Sequence, residues 1–62
     1  MRDPKRIKPV LEALETYWNK NPDLRLGQII VNMTRALGRH DPFFVEDDKM
    51  FKAIQYFTEN EE

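Results

Sequence analysis

The chain has 62 residues, of which 40% are hydrophobic and 34% charged, and its formal net charge is -1. A chain of this length admits one domain with a small core, because it buries only about 60% of the surface that it exposes when unfolded. The sequence contains no cysteine, which excludes disulfides and thiolate metal sites, and no apolar run is long enough to predict a membrane span. We expect one globular domain over residues 1–62, located in the cytoplasm because the first residues lack the apolar segment of a signal peptide.

The first predicted helix begins near Asp3-Pro4, because aspartate can cap free N–H groups and proline fits the first helical position. Apolar residues then recur at helical spacing, namely Ile7, Val10, Leu11, Leu14, Tyr17 and Trp18. Pro9 interrupts the backbone hydrogen bonds, so we expect either a kinked helix from about Pro4 or a short first turn followed by a main helix from Pro9. Asn21-Pro22 ends the helix, since a residue before proline is pushed out of the α conformation.

The second predicted helix has the most regular pattern in the chain. Its apolar residues follow helical spacing and are Leu26, Ile29, Ile30, Met33 and Leu37. Asp23 is the expected N-cap, although Leu24 and Arg25 could still belong to the turn. Gly38 stands where a left-handed C-terminal cap is favoured. Gly27 indicates either close approach to another backbone or a glycine tolerated in the first turn.

Residues 39–45 have no helical period and predict an irregular connector, in which Phe43 or Phe44 is expected to plug the end of the helix pair. Negative charge at Glu46, Asp47 and Asp48 then favours the start of a third helix, with Glu46 or Asp47 as its cap. The apolar residues of this helix are Met50, Phe51, Ala53, Ile54 and Phe57, and residues 58–62 are expected to be a frayed polar tail.

The pattern as a whole predicts an all-α fold, a compact three-helix domain with an irregular aromatic connector between the second and third helices. We expect Trp18 and the apolar face of the second helix, including Ile30, to form the centre of the core. Changing either residue to alanine should then remove several kcal/mol, on the order of 2 to 5, of stability.

Residue types that carry out catalysis or bind metals are sparse in this sequence. His40 has no second histidine or cysteine as a partner and is expected to be an exposed loop residue. The acidic run of residues 46–48 lacks the alternating ligands and central glycine of a calcium loop, so helix capping explains it better. No phosphate-binding glycine loop or serine nucleophile motif is present. We therefore expect no enzymatic activity, no cofactor and no metal site.

Charge is distributed unevenly along the chain. Residues 1–40 contain eight Lys/Arg and four Asp/Glu, whereas residues 41–62 contain two and seven. This split favours either a basic surface for an acidic partner or two ends that attract each other, within the fold or across a dimer. The candidate basic patch consists of Arg2, Lys5, Arg6 and Lys8. Nucleic-acid binding is the alternative function, but the connector is too long for a helix-turn-helix and the third helix begins with acidic residues that repel phosphate.

Several residues together resemble the YihD-like family of small bacterial proteins of unknown function. They are Arg6-Ile7, Val10, Leu14, Trp18, Lys20, Pro22-Asp23, Leu26 and Gln28, followed by Val45, Asp47-Asp48 and a final apolar helix. The similarity covers about Arg6 to Phe57, and the chain departs from it in a shorter C-terminus and in the connector segment 41–44. The resemblance implies a helical, cytoplasmic, bacterial or phage-borne domain, and it brings no catalytic residues.

The sequence favours a protein–protein interaction module, as a homodimer, an adaptor or an inhibitor of a larger protein. Four phenylalanines, one tryptophan and two tyrosines are more aromatic surface than 62 residues easily enclose, and aromatic residues are enriched at protein interfaces. Phe43 and Phe44 are the candidate interface residues, because a proline-stiffened turn can present them outward at small entropic cost. The competing interpretation is that all the aromatic residues form the core of a monomer.

Overall fold

The computed structural model describes residues 2–60. In chain order these residues form a 3-10 turn Pro4–Arg6, helix α1 (Ile7–Lys20), helix α2 (Leu26–Ala36), a 3-10 turn Pro42–Phe44 and helix α3 (Asp47–Asn60). No strand occurs in this range, so the predicted all-α three-helix fold with an irregular connector is confirmed. Among the same residues, no helix has both the length and the apolar content needed to cross a membrane.

The start of α1 is shaped by two prolines. The Asp3 carboxylate accepts a hydrogen bond from the Lys5 backbone N–H at 2.9 Å and caps the 3-10 turn. α-Helical geometry begins at Ile7, which places Pro9 in the first helical turn, where its missing N–H costs little. Of the two predicted arrangements the short first turn is observed, with the main helix starting at Ile7 instead of Pro9.

Residues 21–25 form the turn between α1 and α2. Asn21 closes α1 through two hydrogen bonds, from its backbone N–H to the Trp18 carbonyl at 3.0 Å and from its side-chain amide to the Tyr17 carbonyl at 3.1 Å. The Trp18 indole N–H donates to the Leu24 carbonyl at 2.8 Å. The indole is therefore fixed against the turn, and the prediction that α1 ends at the Asn21-Pro22 pair is confirmed.

The first turn of α2 differs from the prediction in its N-cap and decides between the two alternatives for Gly27. Arg25 is the N-cap and Asp23 lies in the preceding turn, so the prediction that Asp23 caps the helix is wrong. The Gln28 side-chain oxygen accepts a hydrogen bond from the Arg25 backbone N–H at 2.7 Å, as in one half of a capping box. A β-carbon placed on Gly27 would meet no atom within 4 Å, so this glycine is tolerated and marks no close approach.

The C-terminus of α2 is a Schellman motif. Gly38 has a φ of 74°, and its backbone N–H donates to the Arg35 carbonyl at 2.9 Å. The Arg39 N–H donates to the Thr34 carbonyl at 3.0 Å, which completes the pattern of hydrogen bonds that closes such a helix end. The predicted left-handed cap at Gly38 is confirmed.

The core lies where α3 packs against both α1 and α2. Its buried apolar side chains come from all three helices and are Tyr17, Ile29, Met33, Ala53 and Ile54. The prediction that the apolar face of α2 forms the centre of the core is confirmed, because Ile29 and Met33 are both 0% exposed. Tyr17 and Ile29 are 4% and 0% exposed, whereas Trp18 and Ile30 are half-buried. Within the predicted centre, Trp18 and Ile30 are therefore wrong as central residues, although Trp18 still packs against the core.

The last residues of α3 are held by hydrogen bonds to the rest of the fold. The Lys20 ammonium donates to the Thr58 carbonyl at 3.1 Å, which ties the end of α1 to the end of α3. The Asn60 side-chain amide donates to a carbonyl one turn back at 2.8 Å. Residues 58–60 of the predicted polar tail are therefore helical, and residues 61 and 62 lie outside the described residues.

Candidate interaction surfaces

The most exposed apolar side chains belong to the Phe pair, by which we mean Phe43 and Phe44. Their exposed fractions are 82% and 67%, so the prediction that one of them plugs the end of the helix pair is wrong. The two rings contact each other edge to face, with centroids 4.9 Å apart and an interplanar angle of 81°. This T-shaped contact fixes both rings relative to each other outside the core.

The backbone under the Phe pair is closed by local hydrogen bonds. The Asp41 carboxylate accepts from the Phe43 backbone N–H at 2.9 Å, and the Val45 N–H donates to the Pro42 carbonyl at 3.1 Å. Proline fixes its own φ, so this 3-10 turn loses little further freedom on binding. The sequence correctly indicated a turn here. The pair points to solvent because the turn Pro42–Phe44 lies in the connector between α2 and α3 and leaves both side chains outside the helix bundle.

A shallow depression lies beside the Phe pair. It is lined by apolar and basic side chains together, and these are Leu37, Phe44, Val45, Arg39 and Lys49, with Glu46 at its edge. Arg39 and Lys49 are exposed. The surface around the Phe pair therefore combines an apolar centre with positive charge at its rim.

The candidate basic patch is divided by ion pairs. The Arg2 guanidinium donates through one nitrogen to both carboxylate oxygens of Glu46, at 2.9 and 3.2 Å, and Arg6 Nε donates to the Asp47 carboxylate. The side chains of Glu46 and Asp47 thus contact arginines of the N-terminal segment. Glu46 directly precedes α3, and its backbone carbonyl accepts hydrogen bonds from two N–H groups of the first turn at 3.1 Å each. That the side chain of Glu46 or Asp47 caps the helix stays a prediction. Lys5, like Lys8, is exposed and has no ion pair among the described residues.

The acidic start of α3 and the basic N-terminus therefore meet within one molecule. Of the outcomes that the uneven charge distribution allowed, this is the attraction between the two ends of the chain within the fold. Asp47 and Asp48 occupy the first turn of α3, where negative charge is favoured by the helix dipole. Beneath the ion pairs, an open crevice between α1 and α3 has an apolar floor of Pro9, Val10 and Phe51.

A second exposed apolar surface runs along α1 and was missed by the sequence analysis. We call it the outer stripe, and it consists of Ile7, Leu11, Leu14 and Trp18. Ile7 and Leu11 are 49% and 57% exposed, and the other two are half-buried. The signal for it was present in the sequence, because the apolar residues of α1 cover a wider arc than one contact face requires. Tyr17 turns into the core, and the opposite edge of that arc stays in solvent.

The described residues contain no group of three or more His, Asp or Glu side chains placed to hold a metal ion. His40 is exposed in the connector, as predicted. The surfaces with a defined geometry are therefore the Phe pair, the outer stripe and the ion-paired N-terminal segment.

Comparison of the chain with protein-family models, with curated proteins and with solved structures finds no match. The resemblance to the YihD-like family therefore stays a prediction from the residues that carry it.

Proposed function

We propose that this protein acts by binding another protein, as an adaptor or an inhibitor, and that the Phe pair is the anchor of that contact. The observation that carries the proposal is the exposure of Phe43 and Phe44, 82% and 67%, on a turn that is closed by its own hydrogen bonds. Large apolar side chains are stabilised by burial, and here the fold itself does not bury them. The surface of a partner protein would bury them.

Burying the Phe pair would contribute a substantial part of the free energy of binding. Full burial of one phenylalanine side chain is worth about 1.5 to 3 kcal/mol. Because Pro42 and the Asp41 hydrogen bond already restrict the turn, little of this gain is lost in ordering the backbone. Interfaces of this kind depend on a few central apolar anchors surrounded by a polar rim.

The surroundings of the pair indicate the chemistry of the partner. Arg39 and Lys49 stand at the edge of the adjoining depression, and Leu37 and Val45 form part of its floor. The complementary surface is an apolar cleft with acidic residues at its rim, since opposite charges around an apolar contact improve both encounter rate and specificity. Our proposal locates the protein in the cytoplasm, which is the compartment that the resemblance to the YihD-like family implies.

Nucleic-acid binding receives less support from the geometry. Arg2 and Arg6 already pair with Glu46 and Asp47, so a phosphate would have to displace a carboxylate at each of them. The acidic start of α3 also lies next to these arginines and would repel a phosphate backbone.

The proposal is tested by capturing partners on the tagged protein in a lysate of the organism that encodes it, and then measuring the affinity of the purified partner. Changing Phe43 and Phe44 together to alanine should weaken binding at least tenfold, since about 1.4 kcal/mol corresponds to a factor of ten. Tyr56→Ala is the matched control, because Tyr56 is an aromatic residue of α3 that is 61% exposed and lies outside the Phe pair.

Two results would contradict the proposal. One is a partner that binds the Phe pair variant as tightly as the wild type. The other is an electrophoretic shift of DNA or RNA at physiological salt that weakens steeply with added salt and is lost in Lys5→Gln with Arg6→Gln, which would favour the nucleic-acid alternative.

A further inference from the structure

The outer stripe of α1 has the spacing of a helix–helix contact face. Ile7, Leu11, Leu14 and Trp18 are separated by four, three and four residues, the alternation typical of a seam between two packed helices. At about 1.5 Å per residue the stripe extends for roughly 16 Å along α1. The Trp18 indole is held in place by its hydrogen bond to the Leu24 carbonyl, so one end of the stripe is rigid.

The surface along this stripe is indented at both ends. Near the start of α1, a depression is lined by Ile7, Val10 and Leu11, with Arg6 and Asp47 at its margin. Near the end of α1, a second depression is lined by Leu11, Leu14, Trp18 and Pro22, with Glu15 and Asn19 at its margin. Leu11 is common to both and is 57% exposed. Side chains of a second helix could therefore enter on either side of it.

The charges beside the stripe select its occupant. Lys8 and Glu15 are seven residues apart and each follows a stripe residue, so they lie on the same edge of α1, and both are exposed. Glu12 also follows a stripe residue, Leu11, but at about 100° per residue it lies further round the helix from the seam. If a second α1 is laid along the stripe in the opposite direction with Leu11 opposite Leu14, Lys8 of each copy comes within two residues, about 3 Å, of the height of Glu15 of the other. A parallel arrangement would instead bring like charges to the same height. The edge is thus complementary to itself in the antiparallel direction.

We propose that two copies of this chain associate through the outer stripe, with their α1 helices antiparallel and a twofold axis passing between Leu11 and Leu14. Leu11 of each copy then packs against Leu14 of the other, and Ile7 packs beside Trp18. Two Lys8–Glu15 ion pairs flank the seam, because a twofold contact repeats each interaction. The Phe pair takes no part in this contact and is left for a different protein, so this inference does not depend on the proposed function.

The size of the stripe sets the strength of association. A single short helix face is smaller than the roughly 800 Å² per partner of a standard interface. Standard interfaces bind at micromolar affinity or better, so this smaller dimer should be weaker, and the fraction of dimer should depend visibly on protein concentration. Sedimentation velocity of the full chain, from low micromolar to millimolar concentration, measures this directly.

The first variant tests the apolar seam. Leu11→Glu should leave the protein monomeric over this whole range, since it buries a carboxylate against Leu14 of the other copy on each side of the twofold axis. Leu11 is more than half exposed in the monomer, so far-UV circular dichroism should show an intact fold. Val31→Glu on α2, where Val31 is 43% exposed, is the matched control and should dimerise as the wild type does.

The second set of variants tests the direction of the helices. Lys8→Glu and Glu15→Lys should each raise the dissociation constant about tenfold, because either change turns two attractions into two repulsions. Combining both changes should restore it to within about threefold of the wild type, since the two ion pairs then reform with exchanged charges. The same exchange at Lys52 and Glu59 of α3, which have the same spacing, should have no effect.

Each remaining outcome overturns the inference. These are a wild type that stays monomeric to millimolar concentration, a dimer that survives Leu11→Glu, a charge exchange that fails to restore association, and a dimer that dissociates when Phe43 and Phe44 are changed to alanine. The last of these would assign self-association to the Phe pair. Partner binding in the Leu11→Glu variant separates this inference from the proposed function, because that variant should keep its partner.

Discussion

Replacing Ile29 by alanine should remove most of the stability of this domain, whereas the same change at Ile30 should remove far less. The two residues are adjacent on α2 and have the same side chain, but Ile29 is 0% exposed and Ile30 is half-buried. A domain of this length has about 3 to 9 kcal/mol of stability in all, at roughly 0.05 to 0.15 kcal/mol per residue.

The loss of unfolding free energy follows from the number of carbon atoms removed. Isoleucine to alanine removes three carbons, and each buried methylene is worth about 0.8 kcal/mol, which gives about 2.4 kcal/mol before any cavity is counted. Ile29 is enclosed by Tyr17, Met33 and Ile54 of the core, so the site cannot fully collapse and a cavity term adds to the loss. We expect about 3 to 4 kcal/mol at Ile29, within the range of about 2 to 5 measured for such changes, and about 1 to 2 at Ile30.

Urea denaturation followed by circular dichroism and by Trp18 fluorescence measures both values. The helix propensity gained with alanine is the same at the two positions, so the difference between the variants isolates burial. Ile29→Val, with an expected loss of about 0.5 to 1.5 kcal/mol, gives a measurable transition if the alanine variant does not fold. Equal losses for Ile29→Ala and Ile30→Ala would refute the core described here.

Four further changes follow from the local geometry. Gly27→Ala should raise the free energy of unfolding by about 0.4 to 1 kcal/mol, because the added methyl group meets open space. A lower free energy of unfolding in a urea denaturation experiment would contradict this. Gly38→Ala should lower it by about 1 to 2 kcal/mol, since alanine is strained at a φ of 74°, and an unchanged midpoint would argue against the Schellman motif. A double-mutant cycle of Arg6→Gln and Asp47→Asn should give a coupling free energy of about 0.2 to 1 kcal/mol that shrinks in high salt. Millimolar calcium, magnesium or manganese should leave the thermal midpoint of the wild type unchanged. Thr34→Val should change the free energy of unfolding by less than about 1 kcal/mol in either direction, because the buried hydroxyl donates to the Ile30 carbonyl within the same helix. A larger loss of stability would show that this hydroxyl contributes to packing between helices.

The helices themselves were predictable because they depend on local signals. Proline marked the turn that leads into α1 and the end of α1, glycine marked the end of α2, and the spacing of apolar residues identified all three contact faces. These signals act within one or two turns of chain, so a reading of the sequence can find them. The connector was predicted as irregular for the same reason, since Asp41-Pro42 is a local turn signal.

The positions within each contact face could not be predicted in the same way. Which of Tyr17 and Trp18 is central depends on the angle at which α1 meets α3, and no single segment contains that angle. The ion pairs Arg2–Glu46 and Arg6–Asp47 join residues more than forty positions apart, and only the folded chain brings them together. The exposure of the Phe pair has a related cause. An aromatic ring can plug the end of a helix pair only if the folded helices leave a gap there and the connector directs the ring into that gap. The turn Pro42–Phe44 instead leaves both rings in solvent.

The central place of α3 has a consequence for synthesis. α3 packs against both α1 and α2, and of these three helices it is the last to leave the ribosome. Isolated helices as short as α1 and α2 are marginally stable in water, so the nascent chain lacks a tertiary fold until residues 47–60 have emerged. A premature stop before Asp47 should therefore yield a fragment that proteases remove, and the domain should be either complete or absent in the cell.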